Sequence, residues 1–265
     1  MDPNTILTSI GTTLITNLVS DKNSGPLRTL NDVWDYSIGS LIHSIAEKRR
    51  VKHAMDVEAY KKQLEQEVLS IPPEHLVEPS LNILGPALEA SKYYIEEESL
   101  RSMFAKLVAS SMDDRKSDNV HPAFIEVIKQ LSPLEAEIIG SFKGEDRWQP
   151  IVNFGFWNSS DNTFGDIWLE NVYLRGEDPR SSKQSSSITN LERLGLISIS
   201  YDFDSTSLQA LQLQKDFDKF EELDLYRGFV EGYSEHAKRW RKIAGYQKGI
   251  ARRTPFGGLF LGSVS

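Results

Sequence analysis

No cysteine occurs among the 265 residues. That one absence excludes a disulfide framework, thiolate zinc sites, iron–sulfur ligation and a cysteine nucleophile together. A reducing cytoplasm is the compartment that fits best. Histidine is sparse as well, at His43, His53, His75, His121 and His236. No two of these share a helix at i, i+3 or i+4, so no paired metal-ligand motif is present. Gly257 and Gly258 are not accompanied by a G-x-G-x-x-G or Walker lysine pattern, and the serines at 185–187 lack nucleophile-elbow glycines. No metal or cofactor is implied. The N-terminus also lacks a secretory signal, because its first basic residue is Lys22. Residues 5–19 carry no charge, but Thr5, Thr8, Ser9, Thr12, Thr13, Thr16 and Asn17 interrupt them. They fall short of the roughly 20 predominantly apolar residues that span a bilayer.

The chain is short of positive charge overall. Its net charge of −8 opposes general attraction to phosphate backbones. One segment departs from that balance. Residues 238–253 carry Lys238, Arg239, Arg241, Lys242, Lys248, Arg252 and Arg253 with no acid among them.

What is present is ordinary for a globular protein: 39% hydrophobic and 26% charged residues, with length enough for two domains. Apolar positions at helical spacing predict amphipathic helices over 4–20, from about Thr29 through the charged EKRRVKH to Ile71, and over 79–94. Residues 21–26 read as a turn. Ile71-Pro72-Pro73 ends the second helix, and EHLVEPS reads as an extended connector. Glu96, Glu97 and Glu98 open a further helix, residues 113–120 form a polar loop, and His121-Pro122 opens another helix. Ser132-Pro133-Leu134-Glu135 is a capping box with proline at the first helical position.

After Gly144 the composition shifts. WQPIVNFGFW predicts a strand, 166–174 leans towards helix, and 181–194 is a helix with Gly195 as its C′ residue. LISISY is a strand, 205–244 holds one or two long helices, 247–253 is a return strand, and Thr254-Pro255 opens a terminal helix. The order helix, helix, strand, return strand, helix is that of a winged helix. The chain therefore reads as mainly α, with a helical domain over 1–131 and a winged-helix-like α+β domain over 132–265. A helical insertion of about forty residues in the wing, about 205–244, is expected to pack elsewhere, being far longer than an ordinary hairpin loop.

Candidate chemistry is thin. Arg115 and His121 form R-x5-H, the spacing with which HEPN ribonucleases set an Arg–His pair on RNA. Histidine would serve as acid or base, and arginine would steady the developing phosphate charge. About one such spacing arises by chance in a chain of this composition. Arg115 also lies in the loop DDRKSDN, and the ordinary role of His121 is to start a helix. For nucleic acid, the candidate reading helix is SSSITNLER, through Ser185, Ser187, Thr189, Asn190 and Arg193, with the 238–253 run on phosphates. Trp240 and Tyr246 are expected to anchor in the core.

The stretch IPPEHLVEPSLNILGPALEASKYYIEEESLRSMFAKLVASSMD and then VHPAFIEVIKQLSPLEAEII resemble the Abi-alpha (abortive infection alpha) family of bacterial and prophage proteins. NLERLGLI and RRTPFGGLFL resemble that family's C-terminal signature, which usually reads closer to LTPFG; Arg253 stands here at the leucine position. The resemblance implies a part in defence against phage and supplies no catalytic residues. The function expected is that of a non-enzymatic interaction or sensor protein whose partner is another protein, of host or phage. A winged-helix nucleic-acid binder and a HEPN-like toxin ribonuclease are the alternatives.

Overall fold

The structure is a computed structural model. It describes residues 24–38, 47–144, 147–175, 182–202 and 208–265, without the side chains of residues 24, 47–54, 182, 208–210 and 236. The helix expected over 4–20 lies outside the described residues. The fold is mostly helical with one four-stranded antiparallel sheet, a mixed α+β arrangement. Two compact units are present, residues 1–136 with 259–265, and residues 137–258.

The first unit is built from α1 (Ser24–Ser37), α2 (Glu47–Leu69), α3 (Leu81–Ser91), α4 (Glu98–Ser111), α5 (Ala123–Lys129) and the start of α6 (Pro133–Gly140). Helix α1 takes up part of the turn expected over 21–26. Leu30 and Trp34 of α1 and Ile38 just after it are buried, as are Val57, Tyr60, Leu64 and Val68 of α2. Spacings of three and four put each set on one helix face, which is why these helices hide a single stripe. The rings of Trp34 and Tyr60 meet at 5.4 Å. Pro72 and Pro73 remove amide donors and end α2. A single 3-10 turn follows (Pro73–His75), and Leu76 then bridges Asp113 in antiparallel fashion. The predicted capping box is formed: the Ser132 amide donates to Glu135 Oε2 at 2.7 Å, and the Glu135 amide donates to Ser132 Oγ at 3.3 Å.

The second unit contains β1 (Trp148–Asn158), β2 (Phe164–Tyr173), α7 (Ser182–Arg193), β3 (Ile197–Ser200), α8 (Leu208–Glu221), α9 (Asp224–Arg239), β4 (Lys242–Arg253) and the first turn of α10 (Pro255–Val264). The sheet order is β2-β1-β4-β3. Strands β1 and β4 pair along their length, from Trp148↔Arg252 to Asn158↔Lys242. Alternation puts Val152, Phe154 and Ile250 on one face, where they pack with Leu213, Phe217 and Phe220 of α8 and Phe229 of α9.

Three expectations need correction. Residues 166–174 are strand, not helix. The segment is rich in β-formers (Ile167, Trp168, Val172, Tyr173), but its period is broken. The β1–β2 register shifts twice, between Val152 and Phe154 and between Phe154 and Phe156, and Asp166 and Asn171 adopt positive φ of 46° and 52°. The insertion does form two helices, yet it packs on this sheet rather than elsewhere, because Phe217, Phe220 and Phe229 cover the sheet's apolar face. Strand β4 begins at Lys242, five residues earlier than expected, after Arg241 turns the chain at a φ of 55°.

The start of α10 follows its predicted signal. Thr254 Oγ1 accepts from the Gly257 amide at 2.9 Å and donates to the Gly195 carbonyl at 2.6 Å. A Cβ on Gly257 would lie 2.0 Å from the Leu196 carbonyl oxygen, so glycine is required where α10 crosses the start of β3. Gly195 itself has φ 72°, the left-handed C′ position expected after α7.

Candidate functional site

The Arg115–His121 loop lies between α4 and α5, and the side chains of both Arg115 and His121 have local partners. Asp113, 3% exposed, is gripped by Arg115 through Nε at 2.8 Å and Nη2 at 2.6 Å, and it also accepts the Arg115 amide at 3.0 Å. The Arg115 hydrogen bonds hold the Asp113 carboxyl below the usual carboxylate range. His121 Nδ1 accepts the Ala123 amide at 3.0 Å, which is a helix-start role. A different imidazole pairs in this region: His75 Nδ1 lies 2.8 Å from Asp114 Oδ1. His43 lies outside the described residues, as do the side chains of His53 and His236. Among the described residues, no group of three or more His, Asp or Glu is placed to hold a metal ion.

Of the expected reading residues on helix α7, Ser187 is buried, Ser185 and Asn190 are half-buried, and Thr189 and Arg193 are exposed. Ser187 is 4% exposed, in line with the buried Gln184, Ile188 and Leu191, so it is a packing residue and not a surface contact. Ser185 Oγ donates to the Glu170 carbonyl of β2. Thr189 Oγ1 donates to the Ser185 carbonyl and accepts from Asn171 Nδ2 at 3.1 Å. Asn190 and Arg193 bond to each other, Nε to Oδ1, at 2.9 Å. The hydroxyls of Ser185 and Thr189 thus link α7 to β2.

The basic run does not form one patch. Lys238 and Arg239 end α9, Arg241 is the turn, and Lys242 through Arg253 is a strand. At about 3.3 Å per residue, Lys242 and Arg253 stand roughly 36 Å apart. Lys238 pairs with Glu235 at 2.8 Å, and Lys242 pairs with Asp166. Lys248 lies 5.2 Å from the centre of the Phe217 ring and donates to Gln214. Arg252 stacks on Trp148 at 5.5 Å, and Arg253 Nη1 donates to the Phe142 carbonyl at 2.8 Å. The α7 C-terminus lies beside Arg253, since Ile197 pairs with it and the Thr254 amide donates to Leu196. Lys238, Arg239 and Arg241 are at the other end of β4.

Sequence reasoning missed an exposed aromatic surface. Trp240, expected in the core, is 68% exposed, and Trp168 of β2 is 51% exposed. Trp168 stacks on Phe229 at 5.2 Å and approaches Tyr233 at 6.2 Å, and Tyr233 meets Phe156 edge-on at 6.1 Å. Trp240 with Phe156, Asp166, Ala237 and Lys242 lines a shallow depression of about 220 Å³. Arg239 and Arg241, both exposed, flank Trp240 in the chain. The available signal was the helical stripe of α9, Phe229, Tyr233, Ala237, which ends beside Trp240. Tyr246, by contrast, packs edge-on to Phe220 and Tyr226, and its hydroxyl donates to Glu221.

Among the described residues, no helix is long and apolar enough to cross a membrane. The sequence model for abortive infection alpha matches residues 52–263 of the chain. No curated protein and no solved structure matches it.

Proposed function

The chain belongs to the abortive infection alpha family, which carries a role in phage defence, and from that premise we propose that it is a cytoplasmic, non-enzymatic interaction or sensor protein. It is organised as the helical domain 1–131 and the α+β domain 132–265. Its contact surface is the aromatic face of Trp168, Tyr233 and Trp240, and its partner is another protein. The observation that carries this reading is the exposure of Trp168 on a packed aromatic cluster and of Trp240 in a depression that it shares with Phe156 of that cluster. Large aromatics at a surface are favoured centres of protein contacts, because they bury much area for little loss of side-chain freedom. Arg239 and Arg241 give the partner its chemistry: an apolar centre rimmed by carboxylates. The local engagement of Arg115, His121, Ser185 and Thr189 also favours a contact role over chemistry at those residues.

The test uses a phage that cells expressing the wild-type chain restrict. Trp168→Ala and Trp240→Ala should lose protection while the purified variants unfold at close to the wild-type temperature. Retained protection in both folded variants would remove this surface from the function.

A winged-helix nucleic-acid binder is the second reading. It is favoured by the succession α6, α7, β3, β4, α10 and by antiparallel pairing of β3 with β4. Its contacts would be Lys183, Ser186, Asn190 and Arg193 on the outward stripe of α7. A salt titration of DNA binding separates the two, because absence of affinity at low salt disposes of it. The Arg115–His121 ribonuclease reading is separated by His121→Ala, which would abolish toxicity only if that imidazole acts on RNA.

A further inference from the structure

We infer that the second unit carries an anion site for a polyphosphate group, at the end of the sheet where β4 meets the first turn of α10. A depression of about 650 Å³ there is lined by Arg147, Trp148, Arg252, Arg253, Thr254, Pro255 and Gly258. Its size is that of a small-molecule site. Three of these lining residues are arginines, and among the described residues no carboxylate lines it.

The topology brings three arginine positions to one corner, with Arg252 and Arg253 on opposite faces of β4. Trp148 pairs with Arg252 across β1 and β4, which puts Arg252 on the Trp148 ring at 5.5 Å. The Arg253 amide donates to the Arg147 carbonyl at 2.9 Å, so Arg147 enters the same corner from the residue before β1. Arg253 is fixed by donation from Nη1 to the Phe142 carbonyl, and its Nε lies 3.8 Å from where a Gly258 Cβ would stand. Among the described residues no carboxylate pairs with any of the three. Glu145 and Asp146, which precede Arg147 in the chain, lie outside the described residues.

Three arginines at one corner, with no carboxylate among its described lining residues, give the depression positive potential. Guanidinium is the side chain best matched to phosphate oxygens, two at a time. The adjoining N-terminus of α10 adds positive potential of the same sense. One face of the Trp148 ring is already covered by Arg252, so the depression recognises a phosphate chain rather than a stacked base. The ligand class is therefore a diphosphate or triphosphate, either of a free nucleotide or of a nucleic-acid end. This inference stands on the geometry of one unit and does not depend on the aromatic contact surface.

The test is calorimetric titration of the full chain with inorganic tripolyphosphate at low and moderate salt. Saturable one-site binding is expected. Arg147→Gln and Arg252→Gln should each weaken it about tenfold, the loss of one charge-assisted hydrogen-bonded contact. Lys238→Gln and Arg239→Gln, at the far end of β4, should leave it unchanged. Competition then identifies the source. Displacement by a nucleoside triphosphate assigns a free nucleotide, and displacement by a single-stranded oligonucleotide bearing a 5′-triphosphate, without displacement by the mononucleotide, assigns a nucleic-acid end. Failure of tripolyphosphate to bind at low salt, or equal weakening in the Lys238 and Arg239 variants, would overturn the assignment.

Discussion

Tyr201 fills the space that any side chain at Gly249 would need: a Cβ there would come within 2.4 Å of the ring carbon Cε1. The Tyr201 hydroxyl lies 2.7 Å from both Asn153 Oδ1 and Asn171 Oδ1, and Asn153 Oδ1 also accepts the Asn171 amide. Burial pushes the Tyr201 phenol above its ordinary range, so it stays neutral and serves as donor at physiological pH. One ring thus ties the residue after β3 to β1, β4 and β2. Gly249→Ala is expected to destabilise the protein by about 1–3 kcal/mol, as overpacking does. Urea unfolding measures it. In the double variant Gly249→Ala/Tyr201→Ala the alanine at 249 should cost far less, because the clashing ring is gone; strict additivity of the two changes would contradict the packing described.

The reciprocal bonds of Ser132 and Glu135 predict the cost of losing a helix cap. Ser132→Ala should lower stability by about 1 kcal/mol, and Ser132→Asp should restore most of it, since either oxygen side chain can accept the Glu135 amide. Thermal unfolding of the three proteins checks this.

Asp113 predicts an acid sensitivity with a definite sign. Its carboxyl is held below its ordinary range by Arg115, so the folded form binds that proton more weakly than the unfolded chain. The stabilisation is complete above the ordinary carboxylate range and is lost as pH falls through the lowered value. Asp113→Asn should therefore be less stable than wild type at pH ~7, and the gap should close towards pH ~2. Melting temperatures of both proteins across that range would show it; a gap independent of pH would mean that the charge of Asp113 contributes nothing.

Local signals were legible where a short motif dictates its own geometry. Ser132–Glu135, Gly195 at φ 72° and Thr254-Pro255 all form the caps their side chains specify. Strand β1 and the helices of the insertion were legible from β-propensity and from apolar spacing. Strand β2 was not, because two register shifts and the positive φ of Asp166 and Asn171 erase its alternation. The seven basic residues of 238–253 are contiguous in sequence but run across a turn and a twelve-residue strand, so contiguity misled about their proximity. Ser187 was offered as a surface reader because serine is polar; it sits one helical turn from Gln184 and Leu191 on the buried side of α7. Trp168 and Trp240 lie exposed because α8 and α9 satisfy the sheet's apolar face with Phe217, Phe220 and Phe229, leaving the larger rings at its margin.

The central claim is that the protein acts through surface contact and not through chemistry at Arg115 and His121. Its most direct test is plating efficiency of a restricted phage on cells expressing, at equal level, wild type, the double variant Arg115→Ala/His121→Ala, or the double variant Trp168→Ala/Trp240→Ala. The account predicts that the Arg115/His121 variant still protects, and that the tryptophan variant, folded, does not. Protection lost with Arg115 and His121 but kept without the two tryptophans would contradict it.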